Sequence, residues 1–415
     1  MKILVLSHGH PKVQKGGGEI AAYAWFKELR SSGHRVAFLG WGGSFDPNHS
    51  KTILQEIGTD DYLIYSDTNF LNFSVTNGNL YNALDLLVRT YQPDIVHLHH
   101  YIHLGIEAAA VIKKLSPQTR VILTLHEYLA ICHNNGQLMT TGNDICRQYK
   151  PSYCSQCFPT IDVNAFFLRE LSIKAAFSYI DDFIAPSQFL LDQYVKWGIP
   201  STKIVKIENP FPMPSLVFNS RIMPPENGKA WKLGFFGQIN FYKGLDVVIE
   251  GVRLATLSGT NVTLDVHGKI SSATGEEYAN SLKRSVQECE DFVTFNGMYE
   301  SQDVLELMGQ YHFVIMGSRW YENSPVVIQE AIEANRPLIV PNLGGMGEKV
   351  KGLGLLYRPG DPTSLHTLLK GLTTHLYSDV CLQVEERRQV LAQERYHHKC
   401  AVIQLYGIPV KSDTQ

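Results

Sequence analysis

Two glutamates eight positions apart, Glu322 and Glu330, bracket the segment "ENSPVVIQE". Between them Ser324 suits a helix N-cap and Pro325 a first helical residue. The spacing predicts a helix to about Asn335, where Arg336-Pro337 stops it. Such a helix leaves the amides of Val326 and Val327 in its first turn without intrahelical acceptors, at the positive end of its dipole. That is an anion site suited to a diphosphate. Glu330, nearly two turns in, could accept two hydrogen bonds from vicinal hydroxyls such as those of a ribose. Glu322, ahead of the cap, could accept from sugar hydroxyls on the other side of the diphosphate. The plain alternative is an amphipathic helix with a capping serine and solvated glutamates.

Strands and helices in alternation must carry this segment. In the first half, strands are expected at "KILVLS", "RVAFLG", "DIVHLH", "RVILTLH", "DFIAPS" and "KIVKIEN". Helical patterns lie between most of them, as at Glu19 to Arg30, Gly105 to Leu115 and Gln188 to Trp197. Residues 210 to 230 hold prolines at 210, 212, 214, 224 and 225 and read as a linker. The alternation then restarts with "WKLGFFG" and runs through "VTLDVHG", "FVTFNG", "HFVIMGS" and "PLIVPN". The expected fold is α/β, with two doubly wound Rossmann-like domains of parallel strands. The expected division is 1–210, a linker 211–230, a second domain 231–390 and a C-terminal tail or helix 391–415. In such sheets ligands bind beyond the carboxyl ends of the strands, so the expected active site is the cleft between the domains.

"ENSPVVIQE" also resembles the E-x7-E motif of retaining glycosyltransferases of family 4, which have the GT-B fold, and the likeness extends over nearly the whole chain. The resemblance implies that Glu322 lies near the donor hexose, that Glu330 binds the ribose and that Ser324, Pro325 and the amides of Val326 and Val327 surround the diphosphate. "FFGQINFYKG" is similar to the family's G-R-x-x-x-x-K-G segment, which places Gly237, Gln238 and Lys243 at the donor, with Lys243 as a point charge on the diphosphate. The family's arginine is Gln238 here, and Arg319 is the candidate to replace the missing charge. "RVILTLHE" puts His126 where the family has a histidine close to the reacting sugar; many members have Asp next, where this chain has Glu127. "KVQKGGGEI" resembles the N-terminal signature, with Gly16, Gly17 and Gly18 as a loop bordering donor phosphate and acceptor, and Glu19 as favourable charge in the helix that follows. In "NLGGMGEKV", Gly344 and Gly345 are expected to form a loop and Glu348 to open a helix.

Composition narrows the field. Of 415 residues 44% are hydrophobic and 19% charged, enough for two cores. A net charge of −3 argues against a nucleic-acid binder. The run Ile3 to Leu6 is too short for a signal-peptide core, and no stretch approaches the ~18 apolar residues of a spanning helix, so a cytoplasmic location is expected. Residues 1 to 35 carry six Lys or Arg against two Glu. That excess suits peripheral contact with anionic lipid at the inner membrane face or with a lipid-linked acceptor; a solvated helix face is the other and plainer reading. Cys132, Cys146, Cys154 and Cys157, spaced C-x13-C-x7-C-x2-C, fall in a loop expected over 127–161. Four thiolates could form a tetrahedral structural zinc site; a loop with free thiols is the other reading. The run "HLHHYIH" lacks neighbouring ligands at metal spacing and reads as structural or substrate-facing.

The chain contains no Asp-x-Asp pair. That fits a site where a helix dipole and a lysine, rather than a required metal cofactor, stabilise a departing diphosphate. The expected reaction moves a sugar from a nucleotide-diphosphate sugar to a hydroxyl acceptor, glycan or lipid-linked, with retention implied by the resemblance, in cell-surface polysaccharide or glycolipid assembly. A nucleotide-sugar epimerase of the same fold and a non-catalytic sugar-nucleotide binder are alternatives. A nicotinamide oxidoreductase is disfavoured, since neither domain's first strand leads into G-x-G-x-x-G.

Overall fold

Short runs rich in Val, Ile, Leu and Phe, bounded by Gly, Pro and Asp, form buried parallel strands in the computed structural model. It describes all residues except 14–15, 45–53, 70, 72–73, 76–78, 211–222, 227, 271–275 and 409–415. The chain forms two units, Met1–Pro212 with His397–Gln415, and Met213–Tyr396. Most of the predicted linker therefore lies outside the described residues.

Unit 1 begins β1 (Lys2–Ser7), α1 (Gly17–Ser31), β2 (Arg35–Gly43), β3 (Leu54–Gly58) and β4 (Asp61–Tyr65). The two-residue strands β5 (Thr68–Asn69) and β6 (Ser74–Val75) follow, then α2 (Asn79–Tyr91), β7 (Ile95–His99), α3 (Ala108–Leu115) and β8 (Arg120–Thr124). It continues with α4 (Pro151–Cys157), α5 (Val163–Phe177), β9 (Asp182–Ala185), α6 (Gln188–Trp197) and β10 (Ile204–Lys206). Among the described residues its main sheet has eight strands in the order β10-β9-β8-β7-β1-β2-β4-β3, all parallel except β3 against β4. The chain reverses direction across the sheet between β1 and β7, so a crevice opens there beyond the strand ends. Helix α1 packs Ala22, Trp25, Phe26 and Leu29, an i, i+3, i+4, i+7 stripe, onto Ile3, Val5 and Phe38.

Unit 2 begins β11 (Trp231–Phe236), α7 (Leu245–Leu257), β12 (Val262–His267), α8 (Glu276–Gln287), β13 (Val293–Gly297), α9 (Val304–Met308) and β14 (Phe313–Ile315). It continues with α10 (Val326–Glu333), β15 (Leu338–Pro341), α11 (Gly344–Val350), β16 (Gly354–Tyr357), α12 (Pro362–Lys370) and α13 (Thr374–Leu405). Its sheet, β13-β12-β11-β14-β15-β16, is parallel throughout and switches direction between β11 and β14. Leu233, Phe235, Val248, Val252, Leu365 and Leu369 share its core.

The expected tail from 391 is, up to Leu405, the end of the 32-residue α13; the described residues from His397 group with unit 1. There Tyr406 hydroxyl meets His97 Nδ1 at 2.6 Å.

Candidate functional site

At the switch point of unit 2, β11 leads into Gly237, at φ +130°, and Asn240 caps a short 3-10 turn, Phe241–Lys243. Gly244 then takes a left-handed conformation and starts α7. A Cβ on Gly244 would run into the Gly317 carbonyl and one on Gly317 into the Gly244 carbonyl, so only glycines let the two backbones touch. That contact brings Lys243 beside the segment leaving β14. Lys243 Nζ meets Glu322 Oε1 at 2.7 Å, and Ser318 Oγ donates to the same oxygen at 2.5 Å. Glu322 is 5% exposed; Lys243 keeps part of its side chain open. The Glu322 carbonyl accepts from Gly345 N at 3.0 Å, which seats this loop on α11.

Helix α10 begins one residue later than expected. Pro325, not Ser324, is its N-cap, because the proline keeps an extended ψ of 128°, and Ile328 N closes the first turn on Pro325 O. Val326 and Val327 are half-buried, in the first turn as expected. The helix ends at Glu333, ahead of Asn335, which takes φ +56°. Burial raises the Glu330 pKa to about 7. Arg319, the candidate to replace the missing arginine, forms a fork onto Asp246 at 2.8 and 2.5 Å and lies over the Phe241 ring. Gln238 is exposed. Gly344 and Gly345 are the first residues of α11, not a loop, and Glu348 lies inside that helix rather than opening it.

In unit 1 the strand ends at the other switch point gather histidines. His126, just past β8, shares a hydrogen bond with His99 across 3.2 Å between Nε2 and Nδ1. Burial, then the neighbouring His8 and His100, lower the His126 pKa to about 3, so its ring is neutral. His8 follows β1, with Nδ1 3.3 Å from the His99 carbonyl and Nε2 3.3 Å from Glu19 Oε1. Burial opposes its charge, but the Glu19 carboxylate and the His99 carbonyl outweigh it and raise its pKa. Glu19 moves the opposite way: burial works against its charge, and the bond to His8 overcomes that and lowers its pKa.

Gly16 is the N-cap of α1, and Gly17 and Gly18 are its first turn, so the expected glycine loop is largely helix. A Cβ on Gly18 would stand 2.9 Å from His8 and 3.5 Å from His126, which ties this turn to the histidine cluster. Glu19 is the acidic residue of the first turn of α1, as expected, and is also buried and paired with His8. Glu127 turns away to His100. Tyr101 N and Ile102 N donate to His100 Nδ1, so its Nε2–H donates to Glu127 Oε1 at 2.8 Å. Burial pushes the Glu127 pKa well above the carboxylate range. His97 is structural, held by Tyr406 and Thr124.

The four cysteines line one cavity, yet among the described residues no group of three or more His, Cys, Asp or Glu side chains could hold a metal ion. Each thiol with a described bond has its own partner. The amides of Asn134 and Leu138 serve Cys132, Cys146 Sγ meets Gln148 O at 3.3 Å, and Cys157 Sγ accepts from Thr141 N at 3.1 Å. The segment is not all loop, since it contains α4.

Sequence reasoning missed Ser318, His8 and the true environment of Glu19. The polar cluster "SHGH" directly after a buried strand was the available signal for His8, being polar residues at a strand's carboxyl end.

Residues 15–212 match the family model described as Glycosyltransferase Family 4, and residues 230–375 match the one described as Glycosyl transferases group 1. An uncharacterized 42.6 kDa protein in the cps region of Klebsiella pneumoniae is 23% identical over 375 residues, 86% of this chain and 89% of that protein. Anabaena HepE, solved in complex with UDP and glucose, is 19% identical with a TM-score of 0.66, covering 98% of this chain and 99% of that one. Sucrose-phosphate synthase from Thermosynechococcus elongatus is 16% identical with a TM-score of 0.68, covering 98% and 100%. These likenesses identify the two Rossmann-like units as a GT-B fold.

Proposed function

Since this chain belongs to the glycosyltransferases, family 4 in its first half and group 1 in its second, we propose that it moves a sugar, with retention, from a nucleotide-diphosphate sugar to a hydroxyl acceptor. The observation that carries the donor reading is the Lys243–Glu322 contact beside the first turn of α10. A partly exposed cation and two helical amides in a first turn there suit a diphosphate whose charge grows as its bond to the sugar breaks. Glu322, fixed by Ser318 and Lys243, accepts hydrogen bonds from the hexose, and Glu330 accepts from the ribose.

In the reaction the bond from the anomeric carbon to the diphosphate oxygen breaks, and the acceptor oxygen bonds to the same face. The acceptor proton passes to the departing diphosphate oxygen, so no side chain acts as nucleophile. Unit 1 holds the acceptor. Its neutral His126 hydrogen-bonds a sugar hydroxyl, fixed in orientation by His99. HepE's UDP makes UDP-sugars the first donors to test, and the cps-region relative supports a place in polysaccharide assembly.

A thermal-shift screen against UDP-, GDP-, ADP- and CMP-sugars tests the donor class, because a ligand of the folded state must raise its apparent stability. One class should shift the transition. Its product, formed only with acceptor, should keep the anomeric configuration. Turnover of donor without acceptor to an altered nucleotide-sugar would instead make the protein an epimerase.

A further inference from the structure

Helix α5 buries Phe166, Arg169, Ile173, Ala176 and Phe177 on one side. Its other side is also apolar: Phe167, Leu168 and Leu171 are 55%, 61% and 50% exposed, with Val163 and Tyr153 of α4 open beside them. A helix apolar all round is ordinarily covered on both faces. Contiguous exposed aromatics and leucines at i, i+1 and i+4 mark a surface that meets something else.

The inward face is fixed. The buried Arg169 guanidinium donates to the carbonyls of Leu71, Ala130 and Leu129. Leu129 and Ala130 lie three and four residues past His126. The helix is thus pinned to the segment that carries the acceptor-side histidine, and its outward face is a rigid platform.

Charge indicates what the platform meets. Arg147, Lys150 and Lys196, all exposed, line one groove with Val163 and Phe167. Lys174 adds a fourth cation, shared with Glu170 at 2.6 Å. Among the described residues Glu170 is so paired, Asp162 caps α5 through its carboxylate, and Asp192, exposed and one turn from Lys196 on α6, accepts from Gln188. A symmetric pairing with a second copy of the chain would bring cation against cation. Lys196 lies over the Tyr149 ring and Lys174 over Trp197, so both cations hold their stems along apolar surface.

The geometry points to α5 and its cationic rim as a docking face for an anionic lipid bilayer. Phe167, Leu168 and Leu171 enter the headgroup region while Arg147, Lys150, Lys174 and Lys196 meet lipid phosphates. Among the described residues no helix is long and apolar enough to cross a membrane, so attachment here is peripheral. The inference goes beyond the glycosyl-transfer reading and does not depend on it.

Vesicle co-sedimentation tests it. The full chain should pellet with phosphatidylglycerol vesicles, stay free of phosphatidylcholine vesicles, and detach as salt is raised. The double variant Phe167→Ser/Leu171→Ser, and separately Lys150→Glu/Lys196→Glu, should each bind about tenfold more weakly, with unchanged thermal unfolding and nucleotide binding. No pelleting of the wild type with anionic vesicles, or pelleting unchanged in both variants, overturns the docking face and leaves the donor assignment standing. So does sedimentation equilibrium showing a dimer that Phe167→Ser/Leu171→Ser dissolves, since a second copy would then cover α5.

Discussion

Lys243 Nζ and Glu322 Oε1 stand 2.7 Å apart across 79 residues of sequence. The contact follows from the paired glycines 244 and 317, which let the start of α7 touch the exit of β14. A charge-assisted bond from Lys243 to a diphosphate contributes roughly 1.5–3 kcal/mol. Lys243→Ala should therefore weaken nucleotide-sugar binding about tenfold to a hundredfold in calorimetry, and Lys243→Arg should restore part of it. Wild-type affinity in the alanine variant would remove Lys243 from the donor site.

Glu330 yields a pH prediction. Burial raises its pKa to about 7, so below that pH the side chain is mostly protonated. Accepting two hydroxyl bonds requires the carboxylate, so donor binding must drive the proton off. Affinity should rise by up to about tenfold per pH unit as pH climbs toward 7, then level off. Protons should be released on binding, visible as a heat that depends on the buffer. Glu330→Gln should bind more weakly and with a flat profile over this range. A wild-type profile equally flat would show that Glu330 does not take the ribose.

The central strands were legible because each is a short apolar run between turn residues: Lys2–Ser7, Trp231–Phe236 and Val262–His267 lie within the stretches expected for them. β3 escaped notice because Leu54–Gly58 is mostly exposed and carries no continuous apolar pattern. α5 was hidden for the opposite reason, since a helix apolar on both faces has no amphipathic period. The contact between Lys243 and Glu322 joins two segments that were each singled out by a local motif. The His8–Glu19 pair could not, because it depends on the close approach of α1 to the end of β1, which spacing does not reveal.

The cysteine cavity predicts a negative metal result. Cys132, Cys146 and Cys157 rest on separate partners, and burial pushes Cys132 up to about 12 and Cys154 to about 11. Purified protein should hold zinc well below one atom per chain, and Cys132 should be the slowest of the four to react with a thiol reagent at neutral pH. A tight, stoichiometric zinc that protects all four would restore the four-thiol site.

The His8–Glu19 pair sets a stability window. His8 has a raised pKa, so its share of the stabilisation is complete below its ordinary value of 6.5 and fades as pH rises through the raised one. Glu19 has a lowered pKa, so its share is complete above 4.5 and fades as pH falls through the lowered one. Both shares are present together between pH 4.5 and 6.5. In that interval Glu19→Gln should cost roughly 1–3 kcal/mol, reduced from the fully buried case because His8 keeps some solvent contact. The gap between variant and wild type should narrow in alkaline buffer, where neutral His8 needs only an acceptor that glutamine also supplies. Thermal unfolding of both proteins across pH reads this directly. A gap that stays constant from pH 5 to pH 9 would mean that Glu19 acts through packing against Gly9 and Gly16 rather than through charge.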